Sequence, residues 1–152
     1  MKTRSLTTGI VHSDREFGVE HGGLHKPIHT SVQFGFERTE ELIGVFQGTV
    51  KNAWNYARQG TPTSSALESL VNRMEGGRGT ICFTTGMAGI CAIFLTLLRA
   101  GDHLVCSKHV FGNTNSVLGT LEDLGIAVSK VDATAAQNVA AALRPETRMV
   151  FV

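Results

Sequence analysis

A chain of 152 residues with 42% hydrophobic residues and a mean hydropathy of +0.06 has the size and composition of one ordinary globular domain able to bury a core, which excludes disorder. With 14 basic and 13 acidic residues, a formal charge of +1 and no run of like charge, it has no broad attraction for nucleic acid or for an anionic membrane. Lys2 and Arg4 near the start are not followed by an apolar stretch of the signal-peptide kind, and the most apolar run, Ile90 to Leu98, is too short to span a bilayer, so the expected location is the cytoplasm.

In chain order, the first fifty residues break any long period at Gly22-Gly23 and Pro27, which predicts an extended arm followed by a short helix near Thr39 to Gln47. So long an irregular segment in a compact domain points to use against another subunit or a binding site. Leu67, Leu70, Val71 and Met74 then recur at helical spacing behind Pro62 and a Ser65/Glu68 capping box, and Gly76-Gly77 stops that helix. "TICFT", residues 80 to 84, has the β-branched and aromatic character of a buried strand. After it come a helix near Met87 to Arg99, a strand near His103 to Ser107 and a helix near Asn115 to Leu124 stopped by Gly125. A strand near Ala127 to Val131, a helix near Ala135 to Leu143 behind a Thr134/Gln137 capping box and a last strand, "MVFV", complete the chain. Strand alternating with helix in this way predicts an α/β fold with a mainly parallel sheet flanked by helices. That last strand has no turn, helix or polar cap after it, the look of a chain cut inside its fold.

Cys82, Cys91 and Cys106 are odd in number, lack CxxC spacing and lie in apolar runs, which reads as reduced, buried thiols. His21, His25 and His29 are four apart, yet Gly22, Gly23 and Pro27 oppose the helix that would align them on a metal, so no metal site is expected. His109 reads as an ordinary loop histidine.

Two stretches bear on chemistry. In "FTTGMAGI", residues 83 to 90, a strand-like run turns at Gly86 into a helix, so the N–H groups of Gly86 and Met87 face outward. An anion there gains from these donors and the helix dipole, typically ~0.3 to 1 kcal/mol at exposed sites. A tight glycine kept for packing alone is the competing explanation. "GMAG" lacks the first glycine of a dinucleotide fingerprint, and no acidic residue follows the next strand. In "YARQGTPT", residues 56 to 63, Tyr56 and Arg58 alternate as on an extended segment and so face one way, a hydroxyl beside a guanidinium suited to phosphate. Taken alone, the second stretch reads more readily as a surface loop with a solvated arginine, Gly60 and Pro62 only making a turn.

Read together, "YARQGTPT", "ALESLVNRMEGG", "TGMAGI" and "LLRAGDHLVCSKHVFGNT" resemble, in order and spacing, the N-terminal half of the Cys/Met-metabolism family of pyridoxal-phosphate enzymes. That family includes cystathionine γ-synthase, the cystathionine lyases, methionine γ-lyase and the O-acylhomoserine sulfhydrylases. "VHSD" and "KPIHTSVQF" resemble segments of its arm. The resemblance implies the first part of a fold-type I PLP-dependent transferase large domain, with residues 1–50 as an arm against a neighbouring subunit and 51–152 as the first part of the PLP-binding α/β domain. It implies pyridoxal 5'-phosphate as cofactor, its phosphate at Gly86 and Met87, and Tyr56 and Arg58 reaching that phosphate from a neighbouring subunit. The sites are then shared within a homo-oligomer, a dimer or tetramer. Phe111 matches the ring-stacking aromatic, where most members have Tyr; phenylalanine keeps the stacking and lacks the phenolic proton, more like the sulfhydrylase branch. Thr61 replaces the usual Asn and retains the ability to cap the next helix.

The Schiff-base lysine is absent: Lys2, Lys26, Lys51, Lys108 and Lys130 all lie outside a Ser-x-x-Lys setting, and in the family that lysine and the pyridine-binding aspartate come later. This chain alone is therefore expected to be inactive, and the remaining C-terminal part of the enzyme is one of its expected partners. The resemblance implies γ-replacement on a small amino-acid substrate, an O-acylhomoserine, by sulfide or cysteine. The alternatives are a cystathionine or methionine lyase, or a non-catalytic PLP-binding or assembly module. A nucleotide-binding α/β domain unrelated to pyridoxal phosphate is more distant.

Overall fold

The computed structural model describes residues 5–152, which form two compact units, one up to Cys82 and one from Phe83 to Val152. The first begins with helix α1 (Leu6–Val11), whose N-cap Ser5 accepts from the Thr8 amide, followed by a 3-10 turn at Ser13–Phe17. Both pack on α3 (Pro62–Glu75), where Arg73 reaches Glu16 at 2.7 Å and lies so close to Gly9 that a Cβ there would sit 3.0 Å from its Nη1. The expectation of an extended arm is thus corrected at its start, because these short helices gain stability from packing on α3 and not from their own propensity. Helix α2 (Thr39–Phe46) forms where the short helix near Thr39 to Gln47 was expected.

Between these helices the chain has no further α-helix or strand, and Gln33 pairs antiparallel with Tyr56. Trp54 centres this unit: its ring lies 6.5 Å from Phe17 and 6.4 Å from Phe34, and its Nε1 donates to Ser65 Oγ. Such tilted aromatic pairs combine burial with edge-to-face attraction. Helix α3 starts three residues before the expected capping box. Thr61 is its N-cap, Pro62 opens its first turn, and the reciprocal box is Thr61 with Ser64. Glu68 instead accepts the Cys82 amide at 2.9 Å. Gly76, at φ 62°, ends the helix in the left-handed conformation that glycine adopts without a Cβ penalty.

"TICFT" is not a strand. A strand exists only where a neighbour completes its ladder, and among the described residues nothing pairs with 80–84.

The second unit is a three-stranded parallel sheet in the order β2-β1-β3, flanked by helices. In chain order it runs α4 (Gly86–Leu97), β1 (His103–Ser107), α5 (Gly112–Asp123), β2 (Ala127–Val131), α6 (Ala136–Ala142) and β3 (Thr147–Phe151). Every residue of the central β1 is buried, as expected of a parallel strand covered on both faces. Phe94, Leu98, Leu104, Cys106, Leu118 and Leu121 make the core, and Phe94 meets Phe151 edge-on at 5.1 Å. Of the cysteines only Cys106 is fully buried; Cys82 and Cys91 are half-buried, and all three are free thiols. The expected Thr134/Gln137 box does not form, because the Thr134 hydroxyl and amide turn back to Asp132, and the N-cap of α6 is Ala135. Among the described residues no helix is long and apolar enough to cross a membrane.

Candidate functional site

Helix α4 runs against the direction of β1, so its N-terminus lies at the carboxyl end of the sheet, where ligands of open α/β folds bind. Thr85 caps it, the hydroxyl accepting from Ala88 N at 3.1 Å. The N–H groups of Gly86 and Met87, at the first two helical positions, meet no acceptor among the described residues. A Cβ built on Gly86 meets nothing within 4 Å, so this glycine opens space in front of two free donors and fills no packing requirement.

Phe111 lies at the same end. Strand β1 leads through Lys108–Val110 into Phe111, the N-cap of α5, whose side chain is 69% exposed. Thr114 Oγ1, in the first turn of α5, contacts Met87 Sδ at 3.7 Å and ties the starts of α4 and α5 together. The arrangement fits pyridoxal phosphate: open amides and a capping hydroxyl suit the phosphate, and an exposed aromatic face suits the ring.

Sequence reasoning passed over two groups here. Thr85 was legible as a Thr before a helical glycine, a preferred N-cap. Asp132 was legible in "DAT", a side chain placed to accept from the backbone two residues on. Its carboxylate receives Thr134 Oγ1, Thr134 N at 3.2 Å and Lys108 Nζ at 2.9 Å. The Thr134 hydroxyl first, then the Lys108 ammonium, hold this carboxyl well below the usual range.

In the first unit, residues Ala57–Gln59 form a 3-10 turn where an extended segment was expected, because Gln59 and Gly60 donate back to Tyr56 and Ala57. Arg58 and Tyr56 come together all the same, the guanidinium carbon lying 4.9 Å from the ring centroid. Tyr56 also edges a groove of about 660 Å³ lined by Phe34, Phe36, Arg38, Leu42 and Phe46. Among the described residues no carboxylate pairs with Arg58, leaving its donors open. The histidines considered for a metal go separate ways: His25 to Asp14 and His29 to Glu20. His109 lies in the loop before Phe111, 3.8 Å from Asp132.

The family described as Cys/Met metabolism PLP-dependent enzyme matches residues 7–152. L-Methionine gamma-lyase of Pseudomonas deceptionensis is 30% identical over 99% of this chain and 38% of its own length. Cystathionine beta-lyase MetC of Bacillus subtilis is 33% identical over 97% of the chain and 36% of its length. The chain therefore spans a little over a third of the curated relatives it matches. Among solved structures, metB from Corynebacterium glutamicum superposes with a TM-score of 0.83 at 27% identity, over 99% of this chain and 37% of that one. A Campylobacter jejuni protein described as an O-acetylhomoserine (thiol)-lyase, solved with N'-pyridoxyl-lysine-5'-monophosphate, superposes at 0.84 and 23% identity over the same shares, a likeness of fold. The expected fold, the first part of a fold-type I PLP-dependent large domain, is the fold found.

Proposed function

This chain belongs to the Cys/Met metabolism PLP-dependent enzyme family, and from that premise we propose that the whole protein replaces the γ-acyloxy group of an O-acylhomoserine, succinyl or acetyl, with sulfide or cysteine. The cofactor is pyridoxal 5'-phosphate, which when bound supplies the electron sink for bond changes at the α- and γ-carbons. In this reading the Gly86 and Met87 amides hold its phosphate, and Arg58, stacked on Tyr56, reaches that phosphate from a neighbouring subunit of a homo-oligomer in the cytoplasm. Phe111 stacks on the ring. The γ-carbon–oxygen bond breaks, the acyloxy group leaves as a carboxylate, and the carbon–sulfur bond takes its place.

The observation that supports replacement is the exposed ring of Phe111: in the stacking role assigned to it by this reading, it has no hydroxyl to give a proton to a leaving group. A second reading, elimination from methionine or cystathionine, is favoured by the curated relatives, which are lyases. Steady-state rates of the full-length enzyme decide between them. O-succinyl- and O-acetylhomoserine, each with sulfide or cysteine, are compared with methionine and cystathionine alone. The expected result is a higher kcat/KM for an acylhomoserine with a thiol. Faster release of ammonia and a 2-oxo acid from methionine or cystathionine would overturn it.

A further inference from the structure

Between β1 and α5 the chain must turn and present Phe111 outward from a buried strand. Val110 packs against the core on one side of it, and Thr114 is held by Met87 on the other. What fixes the start of the turn is a contact across the sheet. The Lys108 amide extends the ladder to Val131 O at 2.8 Å, and its ammonium reaches Asp132 Oδ2 at 2.9 Å, with His109 Nε2 at 3.8 Å from the same oxygen. The other oxygen of Asp132 is occupied by Thr134, and the Asp132 carbonyl accepts from Asn138 Nδ2 at 3.0 Å, so the carboxylate is anchored from its own turn.

We infer that Asp132 is a positioning residue for Phe111: anchored by Thr134, it gathers Lys108 and so sets where the loop delivers the aromatic ring at the carboxyl edge of the sheet. An ion pair this exposed contributes little to stability, Lys108 being half exposed, so stability alone does not account for a carboxylate held by Thr134 on one oxygen and by Lys108 on the other. Only His109 and Val110 separate Lys108 from Phe111, so a shift at the pair is transmitted through two residues.

The inference rests on the reading of Phe111 as the stacking ring, and the test separates the two. In the full-length holoenzyme, Asp132→Ala, Lys108→Met, Phe111→Leu and the double variant Asp132→Ala/Phe111→Leu are compared by the visible circular dichroism of the bound cofactor and by titration of the apoenzyme with pyridoxal phosphate. The expected result is that Asp132→Ala and Lys108→Met each alter the dichroic band and weaken binding about three- to tenfold. Asp132→Glu restores both, and in the Phe111→Leu background Asp132→Ala adds nothing, since coupled residues are non-additive. A band and affinity unchanged by Asp132→Ala and Lys108→Met, while Phe111→Leu changes them, would overturn the inference and leave stacking intact. Additive effects would overturn it in the same way. A silent Phe111→Leu would remove the stacking reading and this inference with it. Lys108→Met guards against misfolding of the aspartate variant, because the lysine side chain is a surface group.

Discussion

At Gly86, packing and the proposed ligand binding can be told apart. Its backbone is not left-handed, and an added Cβ would meet nothing within the protein, so neither conformation nor crowding calls for glycine there. Alanine should be neutral or stabilising by up to about 1 kcal/mol, because glycine costs a helix backbone entropy. Its methyl group would nonetheless stand in the space before the Gly86 and Met87 amides. The expected outcome for Gly86→Ala in the full-length enzyme is an unchanged or raised thermal midpoint with pyridoxal phosphate bound about tenfold or more weakly, read by titration of the apoenzyme. Equal affinity would mean that the phosphate lies elsewhere. Phe111 offers the complementary case: its ring is mostly bare, so packing does not explain an aromatic there, and the proposed stacking would use its face.

At the scale of elements, the three strands are laced at their amino ends by His103. Only 1% exposed, it spans from Thr147 Oγ1 on β3 at 2.7 Å to Ser129 Oγ on β2 at 2.9 Å. Both hydroxyls also accept from Arg144, one from its backbone amide and one from its guanidinium. Burial first, and then the Arg144 charge, push the imidazole pKa down, against a smaller opposing pull from Glu146. The unfolded chain therefore takes up the proton first as pH falls, so the stability linked to His103 is complete above the unfolded value, about 6.5, and is lost below it. Urea midpoints should accordingly drop from pH 7.5 to 5.5 more in the parent than in His103→Gln. Parallel declines would show that the histidine is not the group responsible. None of this was legible beforehand, because a histidine in a strand does not reveal which hydroxyls the register places beside it.

The elements themselves were largely legible. From Pro62 onward the four helices fall near their expected spans, α3 and α5 ending at the expected glycines, and β1 and β2 fall where the runs of buried-strand character lie. Two kinds of local reading misled. Capping boxes are short patterns that several residues satisfy, and both expected boxes yielded to neighbours with better geometry, Thr61/Ser64 and the Asp132 turn. A strand is a property of a pair, so the composition of "TICFT" could not make one without a partner. The helices at Leu6–Val11 and Ser13–Phe17 were illegible for the opposite reason, being made by contact with α3. For the candidate site, the order of motifs proposed Tyr56, Arg58, Gly86, Met87 and Phe111, while the Asp132 contact with Lys108 needed the sheet to bring β1 and β2 side by side.

On the scale of the whole molecule, α4 carries no charged residue, and Ile93, Leu95 and Leu97 stand exposed on it while Phe94 is buried in the core. A helix apolar on all sides belongs inside a larger body, and the chain covers 36% to 38% of the first relatives' lengths. The proposed chemistry points the same way, because the resemblance places the cofactor-bearing lysine in a Ser-x-x-Lys setting that none of the five lysines here has. The two needs converge on one measurement. Borohydride reduction fixes lysine-bound pyridoxal phosphate as a pyridoxyl adduct, and intact mass then shows which polypeptide carries it. The expected result is an adduct on the full-length enzyme and an unmodified 16.3 kDa mass for residues 1–152 expressed alone with the cofactor. An adduct on the short chain would place a reactive lysine among these five, with Lys108, beside Phe111, the first to replace. No adduct on either polypeptide would favour a binding or assembly module, in which the phosphate cup and the stacking ring serve retention of the cofactor and not turnover.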